Sequence, residues 1–220
     1  MNQESEKRNR IIALGKKRKN SCYENYFQIS HFHEGKYESI YVSPYTNSAN
    51  NVNSSIVVLL QDWSSENSLL RPFDQKTAKL GYTTDFPTNR NLKDLLKSTF
   101  DLNFEDVFIT NVFPFIKKGS ISSNIPQQDM NRAFTEFCYP QIDIIKPKLV
   151  ICCGKKVYIS ALNHFNKSKK NLQAVGNNFH ENNIVFYHQR HTGRIATNVS
   201  GGIDVAKNNW KEMTSIFKHL

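Results

Sequence analysis

No stretch of this 220-residue sequence approaches the roughly 20 consecutive apolar residues that a membrane-spanning helix requires. The run Ile11-Ile12-Ala13-Leu14 is also too brief for the core of a secretion signal, so a cytoplasmic protein without a membrane role is expected. Cysteine is scarce: Cys22, Cys138, Cys152 and Cys153 form no Cys-x-x-Cys pair, which argues against a disulfide framework and predicts reduced thiols, the last two in the core. Neither G-x-x-x-x-G-K-[ST] nor G-x-G-x-x-G occurs, which weighs against a nucleotide-binding α/β module. His31-Phe32-His33 has no second ligand pair at a metal-binding spacing, so these are read as surface histidines, and no metal or cofactor is expected. Acidic residues are in deficit, 19 against 29 Lys and Arg, for a formal charge of +10. That imbalance favours a polyanion such as nucleic acid as partner, with a membrane surface as the weaker alternative.

What the sequence does contain is an alternation of short apolar runs with helical periodicities. Four runs read as buried strands: Ile56–Leu60, Val107–Val112, Leu149–Cys153 and Ile184–Tyr187. Between and after them, helical spacing covers Leu92, Leu95, Leu96 and Phe100, with Thr88 or Asn89 as cap. A second helical stretch spans 128–146 with a kink or restart at Pro140, a third Lys155–Phe165, and a last stripe runs Ala206, Trp210, Met213, Phe217 and Leu220. This order predicts one three-layer α/β/α domain around a central four-stranded parallel sheet, and a monomer is expected. Residues 1–55 are expected to form a basic N-terminal helical segment and a loop packed on the core, and 56–220 the α/β core itself. The basic run Lys16-Lys17-Arg18-Lys19 reads as a solvated helix face.

Parallel sheets bind ligands at the carboxyl ends of their strands. Asp62, Asn111, His188 and His191 fall there, from three different strands. A carboxylate, an amide and an imidazole suit hydrolysis of an N-glycosidic bond. The carboxylate orients water and stabilises positive charge developing on the sugar, and the imidazole stabilises negative charge on the departing base. The amide offers an acceptor and a donor side by side to read a base edge.

Leu60-Gln61-Asp62-Trp63-Ser64-Ser65 resembles the first motif of the uracil-DNA glycosylase superfamily, Gly-Gln-Asp-Pro-Tyr-His in its best-known branch. Thr110-Asn111-Val112 is similar to the strand end that carries the base-reading Asn. Lys146-Pro147-Lys148, the apolar strand and Gly154-Lys155 resemble a third segment, and His188-Gln189-Arg190 falls where the His-Pro-Ser motif belongs. The similarity spans 56 to about 213 in the right order.

The resemblance implies a uracil-DNA glycosylase-like fold and a monofunctional DNA glycosylase, with DNA as partner. It implies Asp62 as the water-positioning or cation-stabilising carboxylate, Gln61 as a backbone donor to the base and Asn111 as its reader. His188 stabilises the departing base, or His191 does, because the loop is altered; Tyr82 or Phe86 stacks beneath it. Where the best-known branch has a Tyr that excludes a methyl at C5 of the base, this chain has Ser64, which leaves space and a hydrogen-bonding group there. The substrate is then either uracil, in repair, or a 5-substituted or hypermodified cytosine of phage DNA, in antiviral defence; Trp63 refilling the space would favour uracil. Gln189 and Arg190 replace the Pro and Ser of the final motif, which removes the usual wedge contacts, and Arg190, Arg194 and Lys155 are candidates to grip phosphates. Some branches carry an iron–sulfur cluster, but the cysteine spacing here does not support one. No lysine is placed by these motifs as a Schiff-base nucleophile, so strand cleavage is not expected. A DNA-binding protein that keeps the fold without catalysis is the alternative.

Overall fold

The structure is a computed structural model and describes residues 2–193 and 201–218. In chain order the elements are α1 (Gln3–Lys19), β1 (Tyr26–Phe27), β2 (Ile56–Asp62), α2 (Glu66–Leu69), α3 (Gln75–Leu80), α4 (Pro87–Phe100), β3 (Phe108–Phe113), β4 (Ile116–Lys117), α5 (Gln127–Ala133), α6 (Tyr139–Ile145), β5 (Leu149–Cys153), α7 (Lys155–His164), β6 (Asn178–Glu181), β7 (Ile184–Gln189) and α8 (Ile203–Lys218).

The main sheet has five strands in the order β3-β2-β5-β7-β6, the first four parallel and β6 antiparallel to β7. The four expected strands are the parallel ones. The expected sheet lacked the fifth strand, Asn178-Phe179-His180-Glu181, because it is a half-exposed edge without an apolar run. Asn182 and Asn183, both at positive φ, turn it into β7, the pairing that a two-residue hairpin favours.

Strand periodicity of two divides the core. Ile56, Val58 and Leu60 face one side with Ile151, Cys153 and Val185, and are covered by α4 and α8 through Leu92, Leu95, Leu96, Trp210 and Met213. Val57, Leu59, Val150, Cys152 and Phe186 face the other side, against α5, α6 and α7 and Ile11 of α1. Helices therefore cover both faces of the sheet. Among the described residues no helix is long and apolar enough to cross a membrane.

Three local expectations are corrected. The cap of α4 is Phe86 with Pro87 in the first turn, whose missing N–H costs nothing there, so Thr88 and Asn89 lie inside the helix. The interruption in 128–146 precedes Pro140: a π-type turn at Phe134–Cys138 widens the backbone just before α6. The basic run of α1 is not wholly solvated. Gly15 brings α1 so close to the backbone at Ile40 that a Cβ there would lie 2.0 Å from its carbonyl oxygen. This approach buries Arg18, which makes a bidentate pair with Glu38 at 2.9 and 2.8 Å. Leu220, assigned to the last stripe, lies outside the described residues.

Arg18→Met leaves the Glu38 carboxylate without its guanidinium. The loss expected on breaking a buried pair from one side is about 3 kcal/mol or more, read from urea denaturation. An unchanged midpoint would show that the pair does not hold α1 to the segment that carries Glu38.

Candidate active site

β2 ends its apolar run at Leu60, so Gln61 and Asp62 emerge at the carboxyl rim of the sheet. The chain that leaves β3 returns as β4, and Ser65 bridges Lys117 there. Glu66 Oε2 accepts the Gly119 N–H at 2.8 Å, and the Asn67 N–H donates to the Gly119 carbonyl at 2.9 Å, which holds the two segments together. The Lys117 ammonium consequently stands 2.8 Å from Asp62 Oδ2, with only 3% and 7% of the two side chains exposed. Lys117 also donates to the Ile121 carbonyl at 2.5 Å, and Gln61 Nε2 donates to Asp62 Oδ1 at 2.8 Å. Oδ1 accepts that bond, whereas Oδ2 has the ammonium at ion-pair distance but accepts no hydrogen bond from the described residues.

At this pair opens a cleft of about 330 Å³, lined among others by Gln61, Asp62, Trp63, Ser64, Tyr82, Phe86 and His191. Trp63 is locked into its wall: its indole N–H donates to the Gly81 carbonyl at 2.8 Å, and its ring meets Tyr37 edge-on at 5.7 Å. Gly81 ends α3 at φ 80°, and a Cβ there would lie 1.7 Å from the Pro44 carbonyl, so only glycine fits. Tyr82 is buried between Tyr45, stacked at 5.4 Å, and the Lys93 ammonium at 4.9 Å. Phe86 is 45% exposed, which makes it the aromatic of the pair with open ring surface in the cleft.

The loop after β7 is pinned by Thr192, whose hydroxyl donates to the Thr88 carbonyl at 3.0 Å and whose own carbonyl accepts from Asn91 at 2.8 Å. His191 Nδ1 accepts the Gly193 N–H at 2.9 Å. The neutral ring must then carry its proton on Nε2. Desolvation lowers the His191 pKa, Asp62 opposes that shift and Lys117 reinforces it, a direction that favours the neutral ring although the residue is exposed. A neutral imidazole with a fixed N–H donor beside a carboxylate can meet an anion developing on a leaving group.

Two expected site residues do not reach the cleft. His188 lies on the opposite face of the sheet, stacked on Tyr158 of α7 at 5.0 Å, with Nδ1 accepting from Asn177 at 3.2 Å. Burial pushes its pKa down to about 4, with Lys155 and Arg190 adding to the shift. His188 lies within β7 and His191 beyond its end, which puts the two in different settings that the bare motif did not reveal. Asn111 lies on the cleft face in register with Leu60 but is fully buried beneath the cleft wall. Its Oδ1 accepts the Ser43 hydroxyl at 2.5 Å, and its Nδ2 has no partner. Arg190 and Lys155 sit on the same sheet rim, away from the cleft lining, and Arg194 lies outside the described residues. Among the described residues no cluster of three or more His, Cys, Asp or Glu could hold a metal ion. His33 is not a free surface histidine: its Nε2 hydrogen-bonds the Leu69 carbonyl at 2.7 Å.

Lys117 was missed at the sequence level, although a lysine closing the apolar run Val112–Ile116 was a signal of burial. The chain matches no family model and no curated protein.

Lys117→Met strands the Asp62 carboxylate, and a loss of about 3 kcal/mol is expected in urea denaturation at pH 7. Adding Asp62→Asn should recover much of it; full additivity of the two losses would mean that the groups do not interact. His188 titrates near 6.5 when unfolded and near 4 when folded. The unfolded chain therefore holds the extra proton in that window, so stability is fully present above pH 6.5 and falls as pH drops towards 4, by about 3 kcal/mol at most. His188→Phe, which keeps a ring against Tyr158, should flatten that part of the stability profile; an unchanged profile would assign the pH dependence elsewhere.

Proposed function

We propose that this protein is a monofunctional DNA glycosylase of the uracil-DNA glycosylase type, acting on uracil or on a 5-substituted cytosine such as the hypermodified bases of phage DNA. The observation that supports this best is one cleft shared by Asp62 and His191, brought from separate strand ends, with Phe86 open beside them.

In this reading the target nucleotide is extruded from the helix and its base lies along Phe86. As the bond between sugar and base lengthens, the ionised Asp62 stabilises positive charge on the sugar and orients a water towards its anomeric carbon. The His191 Nε2–H donates to the base oxygen on which negative charge collects. Water supplies hydroxyl to the sugar, and its proton goes to the departing base. Gln61 and Lys117 hold the carboxylate in one orientation, as preorganised electrostatic stabilisation requires. Ser64 borders the cleft with a small polar side chain, in keeping with tolerance of a C5 substituent, while Trp63, tied to Gly81, lines the same cleft and would favour uracil if its ring fills that space. Asn111, with a free amide N–H beneath the wall, reads the base once the residues above it yield. His188 is a structural residue, and Lys155 and Arg190 beside it present positive charge to the DNA backbone.

One observation favours the second reading, a DNA-binding protein of the same fold without catalysis. The Asp62 carboxylate is ion-paired with Lys117 and nearly sealed from water, which limits it as a base for water.

Mass spectrometry of bases released from uracil-containing, hydroxymethylcytosine-containing, glucosylated and unmodified DNA separates the two. The glycosylase reading expects release of a modified base, lowered by about two orders of magnitude or more in Asp62→Asn and in His191→Ala, and largely retained in His188→Phe. Release of nothing, with DNA still bound, establishes the binding protein instead.

A further inference from the structure

α4 carries positive charge on a side that the cleft does not use. Its apolar positions Leu92, Leu95 and Leu96 are buried against the sheet, so Arg90, Lys93 and Lys97 form one exposed row along the helix. The rise of a helix sets successive members of this row about 4.5 and 6 Å apart along its axis. All three line an open groove of about 750 Å³ together with Tyr82, Asn103 and Phe104. Tyr82 also lines the cleft, so the groove and the cleft share one buried ring.

The charges of this row are not spent within the fold. The Arg90 guanidinium makes no ion pair or hydrogen bond among the described residues. The Lys93 ammonium lies over the rings of Tyr82 and Phe104, 4.9 and 5.1 Å from their centroids. Ring faces hold a cation in place without cancelling its charge. Lys97 pairs with Asp101 at 2.6 Å, but both side chains are more than half exposed, and such a pair costs little to exchange. Two acids also line the groove. Asp94 is taken by Lys207 at 2.9 Å, which leaves Glu105 against three cations.

We propose that this groove binds the phosphates of an unpaired nucleic-acid strand, at a site separate from the cleft. The identity of the partner rests on the glycosylase reading; its placement rests on the row of cations. Point charges repeated along a helix match a chain that carries negative charge at regular intervals, whereas a lipid surface is broad and meets a groove poorly. An unpaired strand follows a concave path that a stiff duplex does not. Phe86 caps α4 at the cleft, so a strand with one base there continues over Arg90, Lys93 and Lys97 in turn.

The test is binding of unmodified single-stranded oligonucleotides of increasing length, read by fluorescence polarisation over a range of salt concentrations. No bond is broken, so the result does not depend on catalysis. Wild-type protein should gain affinity as added nucleotides fill the groove. The triple variant Arg90→Gln, Lys93→Gln, Lys97→Gln should lose that gain and make the salt slope shallower by about 2, since each phosphate contact on a single strand contributes about 0.7. Arg90→Gln alone, which leaves the ring contacts of Lys93 intact, should make it shallower by about 0.7. A control that removes three exposed lysines elsewhere, Lys16→Gln, Lys169→Gln, Lys170→Gln, should stay within about 0.5 of the wild-type slope. An unchanged slope in the triple variant overturns the proposal, as does an equal change in the control. Groove-dependent binding of inorganic phosphate or of anionic lipid vesicles, with no gain from oligonucleotide length, overturns it too. Groove-dependent binding of strands without release of any base would defeat the glycosylase reading and leave the groove standing; base release with an unchanged slope in the triple variant would do the reverse.

Discussion

The ammonium of Lys117 and the carboxylate of Asp62, 2.8 Å apart and nearly sealed from water, fix the floor of the cleft. Desolvating two charges costs several kcal/mol each, and their attraction offsets that only when geometry is held and further hydrogen bonds complete the set. Gln61 supplies one to Oδ1 and the Ile121 carbonyl takes one from the ammonium, while Oδ2 accepts none from the described residues. The consequence is architectural as well as chemical. Lys117 belongs to the return strand after β3 and Asp62 to β2, so the pair ties two rim segments into one wall. The turn that presents Ile121 is held by the same ammonium.

The sheet imposes the complementary constraint. Parallel strands deliver their carboxyl ends to one rim, but alternation decides on which face each side chain emerges. His188 and His191 lie three residues apart and fare differently: alternation directs the first to α7, where burial lowers its pKa, whereas the second lies beyond the end of β7 and lines the cleft. Asn111 emerges on the cleft face beside Leu60 but is capped by Ser43, so the segment before β2 controls access to it. The N-terminal residues are thus joined to the site through Ser43 and Tyr45, and to the body through Lys7, which donates to the Ile145 carbonyl at 3.2 Å, and Tyr23, whose hydroxyl donates to Glu136 at 3.0 Å.

Much of the fold was legible because apolar runs bounded by polar residues are strong local signals. The four parallel strands and the helices at Leu92, Val157 and Trp210 carry such periodicity. The edge strand at Asn178 does not, since an edge needs no apolar face on its solvent side, and only the Asn182-Asn183 pair hinted at a hairpin. Within the site, Gln61, Asp62, Trp63, Ser64, Tyr82, Phe86 and His191 meet at the cleft, each following a strand end or a helix entrance that the sequence marks. Lys117 was hidden because its role depends on a contact 55 positions from Asp62. Buried Arg18 was hidden because a run of like charges does not disclose which member turns inward.

The central claim is that the cleft over Asp62 and His191 receives a nucleobase. It is tested most directly by the crystal structure of the protein with DNA carrying a non-hydrolysable fluorinated target nucleotide. The account predicts an extruded base against Phe86, with its oxygen in hydrogen-bond reach of His191 Nε2 and the anomeric carbon facing Asp62. DNA bound along Lys155 and Arg190 with every base still stacked and the cleft empty would contradict it.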